Sequence, residues 1–482
     1  MNNDRISFGE SYSTLLRYFI PEFVTALLFS SLLNFIDATF IAHLQSTSLY
    51  ATQGITSTLM HFIIKIAEGL SVGTLVISGH YNGLQDYRAV GRTVITALWV
   101  TFFLGACISL VIYFSAYQIY GLYNVPEKIM RHGASFLRLR AVSIFFAFMY
   151  FALIGFMRGI KNTRVPMMLF LFGSGIFIFF DYVLIFGAWG FPEMKLQGSA
   201  CASIIQYAVM LCSAVAYIVW DKDMRKYSIG LYESLDMALA VNIIYLSWPV
   251  IIDKATLAAA KIWLAMLIAP MGKMILASFT VIKDMEQLAF VPAIACAQII
   301  TFLVSNDYSK KNWQGIIANI KKIIIISILM MFAIMLIFCL WPSCVIQCFD
   351  KKGVFTAFAS QAFPLVSVLV FCDLLQLILS AALRGAGDVK TVMVVRLVVC
   401  LGFFFPVSYA ISLLPLHGML KFVLIYGSFY LNNGIMSIIY YYRLSGQAWK
   451  YQLHIKESGI GHVKNYKGRN FKISTDITNK SV

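Results

Sequence analysis

The feature that most constrains this chain is a run of long apolar stretches. Twelve of them, each of twenty or more mostly apolar residues, lie near 15–42, 51–79, 93–118, 134–157, 166–189, 197–220, 238–269, 274–305, 322–346, 361–383, 392–414 and 417–442. About twenty such residues wound into a helix cross the hydrocarbon core of a bilayer, and a helix satisfies its own backbone polar groups there. The expected fold is therefore an all-α integral membrane protein with twelve transmembrane helices. Composition supports this: 60% of residues are hydrophobic and 12% are charged, about half the charge that a soluble domain carries. That excludes a soluble enzyme, a nucleic-acid-binding protein and a disordered scaffold. The polar start, Met1 to Tyr12, lacks the basic-then-apolar shape of a signal peptide. The nine cysteines fall mainly inside apolar stretches, as small hydrophobes; Cys344 and Cys348 are the pair placed to approach each other at a membrane face.

Basic residues give the orientation. Of 38 Lys and Arg, twenty-five lie on the side of the N-terminus, among them Arg158, Arg384 and Arg396, six lie on the other side and seven lie within spans. This bias places both termini in the cytoplasm, in agreement with an even number of spans. The net charge of +16 is accordingly read as a topology signal facing anionic lipid, with no nucleic-acid partner. The expected organisation is a six-helix lobe over 1–220, a cytoplasmic loop over 221–236, a second six-helix lobe over 237–443 and a basic cytoplasmic tail over 444–482.

The chain also repeats itself. At one common offset, Met157-Arg158-Gly159 meets Leu383-Arg384-Gly385, Ala51 meets Ala277 and Asp86-Tyr87 meets Asn312-Trp313, each at the same place in the order of spans. Six spans per repeat make the repeats parallel. Parallel repeats are characteristic of transporters that handle a substrate between their halves, near the midplane.

Particular residues then carry a resemblance. The first span contains Phe35-Ile36-Asp37-Ala38-Thr39-Phe40. The fourth opens on Phe136-Leu137-Arg138-Leu139-Arg140-Ala141 and ends in Arg158-Gly159. The fifth has Phe180-Asp181-Tyr182, the sixth starts Gly198-Ser199-Ala200, and Cys372-Asp373-Leu374-Leu375-Gln376 sits in the tenth. Together, over about 15–442, these resemble the multidrug and toxic compound extrusion (MATE) transporters, in particular their DinF-like branch. The lipid-linked oligosaccharide flippases of the same superfamily share the architecture. The resemblance implies a secondary active antiporter of the bacterial inner membrane. It would export small amphipathic drugs or metabolites in exchange for H⁺, with Na⁺ as the alternative ion, and would need no cofactor. A flippase for a lipid-linked or anionic substrate is the alternative function. The expected partners are a small-molecule substrate and the bilayer, around a monomer.

Charge inside the membrane marks the candidate residues, because it is costly there and is kept for a use. Asp37 lies mid-span beside Asn34 and Thr39, and the resemblance makes it the coupling acid. Asp181 lies in the same half, but Phe177 stands where the family often has Asn, which weakens a Na⁺ site. Asp373 matches the tenth-span acid, with Gln376 on the same helix face. These three acids are the expected ion-coupling residues, and Asn34, Gln376, Lys254 and Glu286 the expected substrate contacts. Lys65 with Glu68, Asp253 with Lys254 and Lys261, and Lys283 with Asp284 and Glu286 add further interior charge. They make the second lobe either a charged cavity for an anionic or zwitterionic substrate or a set of buried ion pairs joining Lys254 and Lys261 to Asp284, Glu286 or Asp373.

Other chemistries lack their motifs. Gly385-Ala386-Gly387-Asp388-Val389-Lys390-Thr391 misses the spacing of a phosphate loop, and no histidine pair has metal-ligand spacing. No enzymatic activity and no metal are expected.

Overall fold

The computed structural model describes residues 9–29, 33–123, 126–230, 235–347, 353, 355–416 and 418–451, apart from the side chains of residues 34, 47 and 128. Cys348, Asn34's side chain and most of the basic tail thus lie outside the described residues. The first half consists of α1 (Tyr12–Leu27), α2 (Leu33–Ala42), α3 (Thr47–Gly83), α4 (Tyr87–Leu122), α5 (Glu127–Gly159), α6 (Arg164–Phe186) and α7 (Leu196–Trp220). The second half has α8 (Met237–Ile268), α9 (Lys273–Ser309), α10 (Trp313–Leu340), the short α11 (Pro342–Gln347), α12 (Thr356–Ser367), α13 (Val370–Gly385), α14 (Val389–Val399), α15 (Phe405–Leu413) and α16 (Gly418–Ser445). Setting aside the six-residue α11 and counting α1 with α2, α12 with α13 and α14 with α15 as one span each gives the expected twelve.

The helix ends follow the repeat seen in the sequence. Under the same offset, the ends of α3, Thr47 and Gly83, fall on the ends of α9, Lys273 and Ser309. Tyr87, which opens α4, falls on Trp313, which opens α10, and the last residue of α5, Gly159, falls on the last of α13, Gly385. The caps repeat as well. Asp86 accepts from the Ala89 amide at 3.0 Å and Asn312 from the Gly315 amide at 3.1 Å, so each side chain satisfies an amide that the first turn leaves open.

Two spans of the second half are interrupted where those of the first are continuous. α12 and α13 meet at a bend of 47°, one turn after Pro364. A π turn over Cys400–Phe404 separates α14 from α15 just before Pro406. A proline inside a helix removes one amide donor and crowds the carbonyl four residues earlier, which bends or widens the preceding turn.

Most helices are apolar all round yet bury one stripe. On α10 the buried residues Ile316, Ile320, Ile323, Ser327, Met331 and Met335 recur at helical spacing, whereas Leu329, Phe332 and Leu336 are exposed. The inner stripe packs on α9, and the outer face is suited to lipid.

α3 and α9 control how the halves meet. At the end of the bundle where α1 begins and α16 ends, here the terminal end, they touch closely: a Cβ on Gly79 would lie 2.1 Å from Ser305 Oγ, and one on Gly83 2.2 Å from the Asn306 carbonyl oxygen. Asn82 Nδ2 donates to Asn306 Oδ1 at 2.7 Å, and Asn306 Nδ2 donates to the Gly159 carbonyl at 2.8 Å. Glu10 adds a tie, bonding Lys161 Nζ of the first half at 2.9 Å while its carbonyl accepts from Lys322 Nζ of the second at 2.8 Å. Followed away from this end, the same stripe of α3 emerges as exposed Lys65, His61, Thr58 and Gly54, and that of α9 as exposed Gln287, Asp284 and Thr280. The halves therefore separate toward the far end and leave a cleft between them.

Candidate functional site

The first half buries an acid site. Asp37, on α2, is 3% exposed. It accepts hydrogen bonds from Ser199 Oγ of α7 at 2.7 Å, from Arg140 Nη2 of α5 at 3.3 Å and from Gln53 Nε2 of α3. Arg140 also donates to Ser203 Oγ. Asp181, on α6, is fully buried, and neither of its carboxylate oxygens meets a donor among the described residues. The charges acting on it are those of Asp37 and Arg140. Two buried carboxylates thus lie in the field of one guanidinium, which, of the two, bonds only Asp37 among the described residues. A cavity of about 90 Å³ beside them is lined by Asp37, His61, Arg140, Phe177, Ser203 and Tyr207, enough for roughly three waters at ~30 Å³ each.

The second half carries its acids elsewhere. The residue that the repeat aligns with Asp37 is Trp263, whose indole Nε1 donates to Ser408 Oγ at 3.0 Å. Instead, Glu286 on α9 accepts from Tyr430 Oη at 2.5 Å and from Tyr426 Oη, with Oε1 left without a donor among the described residues. Asp373 on α13 is partly exposed, and no described residue lies within salt-bridge distance of it. Gln376 is buried, and its Nε2 has no acceptor among the described residues.

Several expectations need correction. Lys254 does not pair with Asp284, Glu286 or Asp373: its Nζ lies 2.5 Å from Glu68 Oε2 on α3 of the other half, because α8 and α3 pack against each other. Lys65 takes the other oxygen of Glu68 at 2.7 Å. Lys283 pairs with its neighbour Asp284 at 3.6 Å, while Lys261 has no carboxylate within 4 Å among the described residues. Arg396, expected at the cytoplasmic face, is 2% exposed and bonds Asp253 together with Arg384, whose Nη2 is 2.9 Å away. A doubly hydrogen-bonded buried acid requires that second arginine to lie inside the bundle. Arg158 also does more than border a loop, since it grips Glu22 through Nε at 2.9 Å and Nη2 at 2.7 Å. Arg140, Gln53 and Ser199 around Asp37, and Tyr426 and Tyr430 around Glu286, are the partners that sequence reasoning missed. The two tyrosines, four apart in an apolar span, were a usable signal; the contacts of Asp37 were not, since they come from three other helices. Among the described residues no group of three His, Cys, Asp or Glu side chains is disposed to hold a metal.

Several known proteins resemble the chain. It is 25% identical over 422 residues to a probable multidrug resistance protein NorM of Bacillus cereus, covering 84% of this chain and 90% of that one. It is 22% identical over 363 residues to the probable multidrug resistance protein YoeA of Bacillus subtilis, covering 73% and 77%. Its fold matches a crystal structure of MATE in the bent conformation with a TM-score of 0.83, at 18% identity and over 92% of this chain and 98% of that one. An outward-facing MATE family transporter matches equally well, with a TM-score of 0.83 at 18% identity, over 93% of this chain and 99% of that one. The MatE family model matches residues 23–183 and again 249–410, two segments that begin at equivalent positions of the two halves and together cover more than half of the chain. A chain built of two such halves, each matched once by the family model, belongs to the MATE family of multidrug efflux transporters.

Proposed function

We propose that this protein is a secondary active exporter that moves small amphipathic molecules out of the cell in exchange for H⁺, by alternating access, as a monomer in the bacterial inner membrane with both termini cytoplasmic. The observation that carries the proposal is the pair of buried acids Asp37, which is ion-paired to Arg140 at 3.3 Å, and Asp181, whose carboxylate has no donor among the described residues and lies in the field of both. Two acids and one fixed cation leave one unit of charge to be met by something mobile, and a proton needs no further ligands. Phe177, buried one turn from Asp181, offers no oxygen for Na⁺. Protonation is useful only if it favours one conformation over the other. The closed contact of α3 with α9 at one end and their exposed stripes at the other supply two ends that can open in turn. The chain's Lys and Arg bias supports the orientation, and Asp373 in the second half is assigned a supporting role in coupling.

Reconstitution into proteoliposomes with an imposed pH gradient tests this. Transport of a fluorescent substrate should follow the gradient and bring protons with it, a Na⁺ gradient should not replace it, and Asp37→Asn should abolish the dependence. Transport equally fast without any ion gradient would overturn the proposal. The second reading, a flippase for a lipid-linked or anionic substrate, is favoured by the ammonium groups of Lys65, Lys254 and Lys261 and would show itself as transbilayer movement of a lipid-linked probe.

A further inference from the structure

The floor of the cleft is an ion triad. Glu68 on α3 gives one carboxylate oxygen to Lys65 at 2.7 Å and the other to Lys254 of α8 at 2.5 Å. Its acceptor capacity for strong donors is thereby taken up by two cations, and the triad keeps one net positive charge. The triad also faces solvent: the Lys65 side chain is 46% exposed and that of Lys254 22%. Below it, toward the terminal end, the halves are in contact; above it they part.

Lys261 stands two turns beyond Lys254 on the same face of α8, about 10 Å nearer the open end at ~1.5 Å per residue. It is exposed, and no carboxylate among the described residues lies within 4 Å of it. The carboxylate that acts on it most strongly is Asp373, with Glu286 weaker, and the ammonium groups of Lys283 and Lys65 act on it as well. Glu286 is engaged by two tyrosine hydroxyls, so Asp373 moderates the charge of Lys261 without occupying it. His61 lies one turn above Lys65 on the facing stripe of α3, also exposed. Phe62 on α3, 48% exposed, and Leu288 on α9, 43% exposed, stand at equivalent positions of the two halves, each next in the chain to a stripe residue, His61 and Gln287.

We propose that the substrate of this transporter carries an anionic group, a carboxylate or phosphate on an apolar body, and that Lys261 with the Lys65–Glu68–Lys254 triad receives it. The proposal rests on the cleft being the transport path of an exporter and names the substrate class for it. An ammonium group that faces the space between the halves, with no carboxylate within 4 Å among the described residues, is left to attract an anion, and does so more strongly the less water surrounds it. A cationic substrate would meet that field first and be repelled. The anion's apolar body would bury against Phe62 and Leu288, as ligand sites generally combine apolar walls with a few placed charges.

Binding of carboxyfluorescein, of its methyl ester and of ethidium to the purified full-length transporter, read by fluorescence polarisation, tests this alongside proton-driven uptake in proteoliposomes. Carboxyfluorescein should bind more tightly than either other dye. Lys261→Gln should weaken it at least about tenfold, Lys261→Arg should retain it, and thermal melting should show both variants folded. Preference for ethidium, carboxyfluorescein affinity unchanged by Lys261→Gln, or no carboxyfluorescein binding at all overturns the proposal. Gradient-driven uptake of ethidium alone would leave the exporter standing and remove the anionic substrate, whereas uptake of every dye without regard to any gradient would remove the exporter reading itself.

Discussion

Arg158 and Arg384 occupy the same position in the two halves, and each ties the end of its span to the first helix of its own half through a buried acid. Arg158 takes both oxygens of Glu22 on α1, while Arg384 takes one oxygen of Asp253 on α8 and leaves the other to Arg396. The motif repeats and its partner changes.

This difference predicts unequal damage. Glu22→Gln leaves one guanidinium without its charge partner, and Asp253→Asn leaves two. Breaking a buried pair by removing one member costs about 3–5 kcal/mol. Asp253→Asn should therefore lower the melting temperature of the purified transporter more than Glu22→Gln does. Equal losses would mean that Arg396 contributes nothing at this site.

A second prediction concerns the contact of the halves. A side chain at Gly83 would press on backbone and hydroxyl oxygen atoms of α9 at 2.1–2.2 Å, far inside contact distance, so α9 must move away. Gly83→Val should favour the conformation open at the terminal end. In a cysteine-free background, Ser305→Cys, buried in the wild type, should then be alkylated several times faster. An unchanged rate would show that the two helices do not separate there.

A third prediction isolates Glu10. Its carboxylate bonds Lys161 in a partly buried pair, with Glu10 30% and Lys161 20% exposed, while Lys322 bonds its backbone carbonyl, which any residue would offer. A pair of this kind contributes about 0–1 kcal/mol. Glu10→Ala should leave thermal stability within that margin, yet speed backbone hydrogen exchange at the start of α1. Exchange as slow as in the wild type would mean that the carboxylate does not hold the segment.

The sequence exposed the helices and their repeat because both follow from properties carried by neighbours in the chain: unbroken apolar length, caps such as Asp86 and Asn312, and Arg-Gly at a span's end. It exposed Asp37, Asp181, Asp373 and Glu286 as acids out of place in hydrocarbon. It could not show what surrounds them. The donors to Asp37 lie 16, 103 and 162 residues away, and Lys254 finds Glu68 at a separation of 186; only packing determines such pairs. Arg396 misled for a related reason, since a basic residue near a span's end resembles a loop charge until its buried partner is known.

The last prediction concerns Glu286. Tyr426 and Tyr430 are one helical turn apart on α16, so both hydroxyls reach the same carboxylate oxygen, and Oε1 has no donor among the described residues. A hydrogen bond to a charged group contributes about 1.5–3 kcal/mol. Either single change, Tyr426→Phe or Tyr430→Phe, leaves one donor in place and should reduce stability and transport moderately. The double change leaves a carboxylate in the bundle with no donor, so the loss should exceed the sum of the two singles. Glu286→Gln added to the double variant removes the charge that needs them, and should recover most of the stability but not the transport. Recovery of both would make Glu286 a packing residue only, whereas recovery of neither would mean that the tyrosine hydroxyls act on something other than its charge.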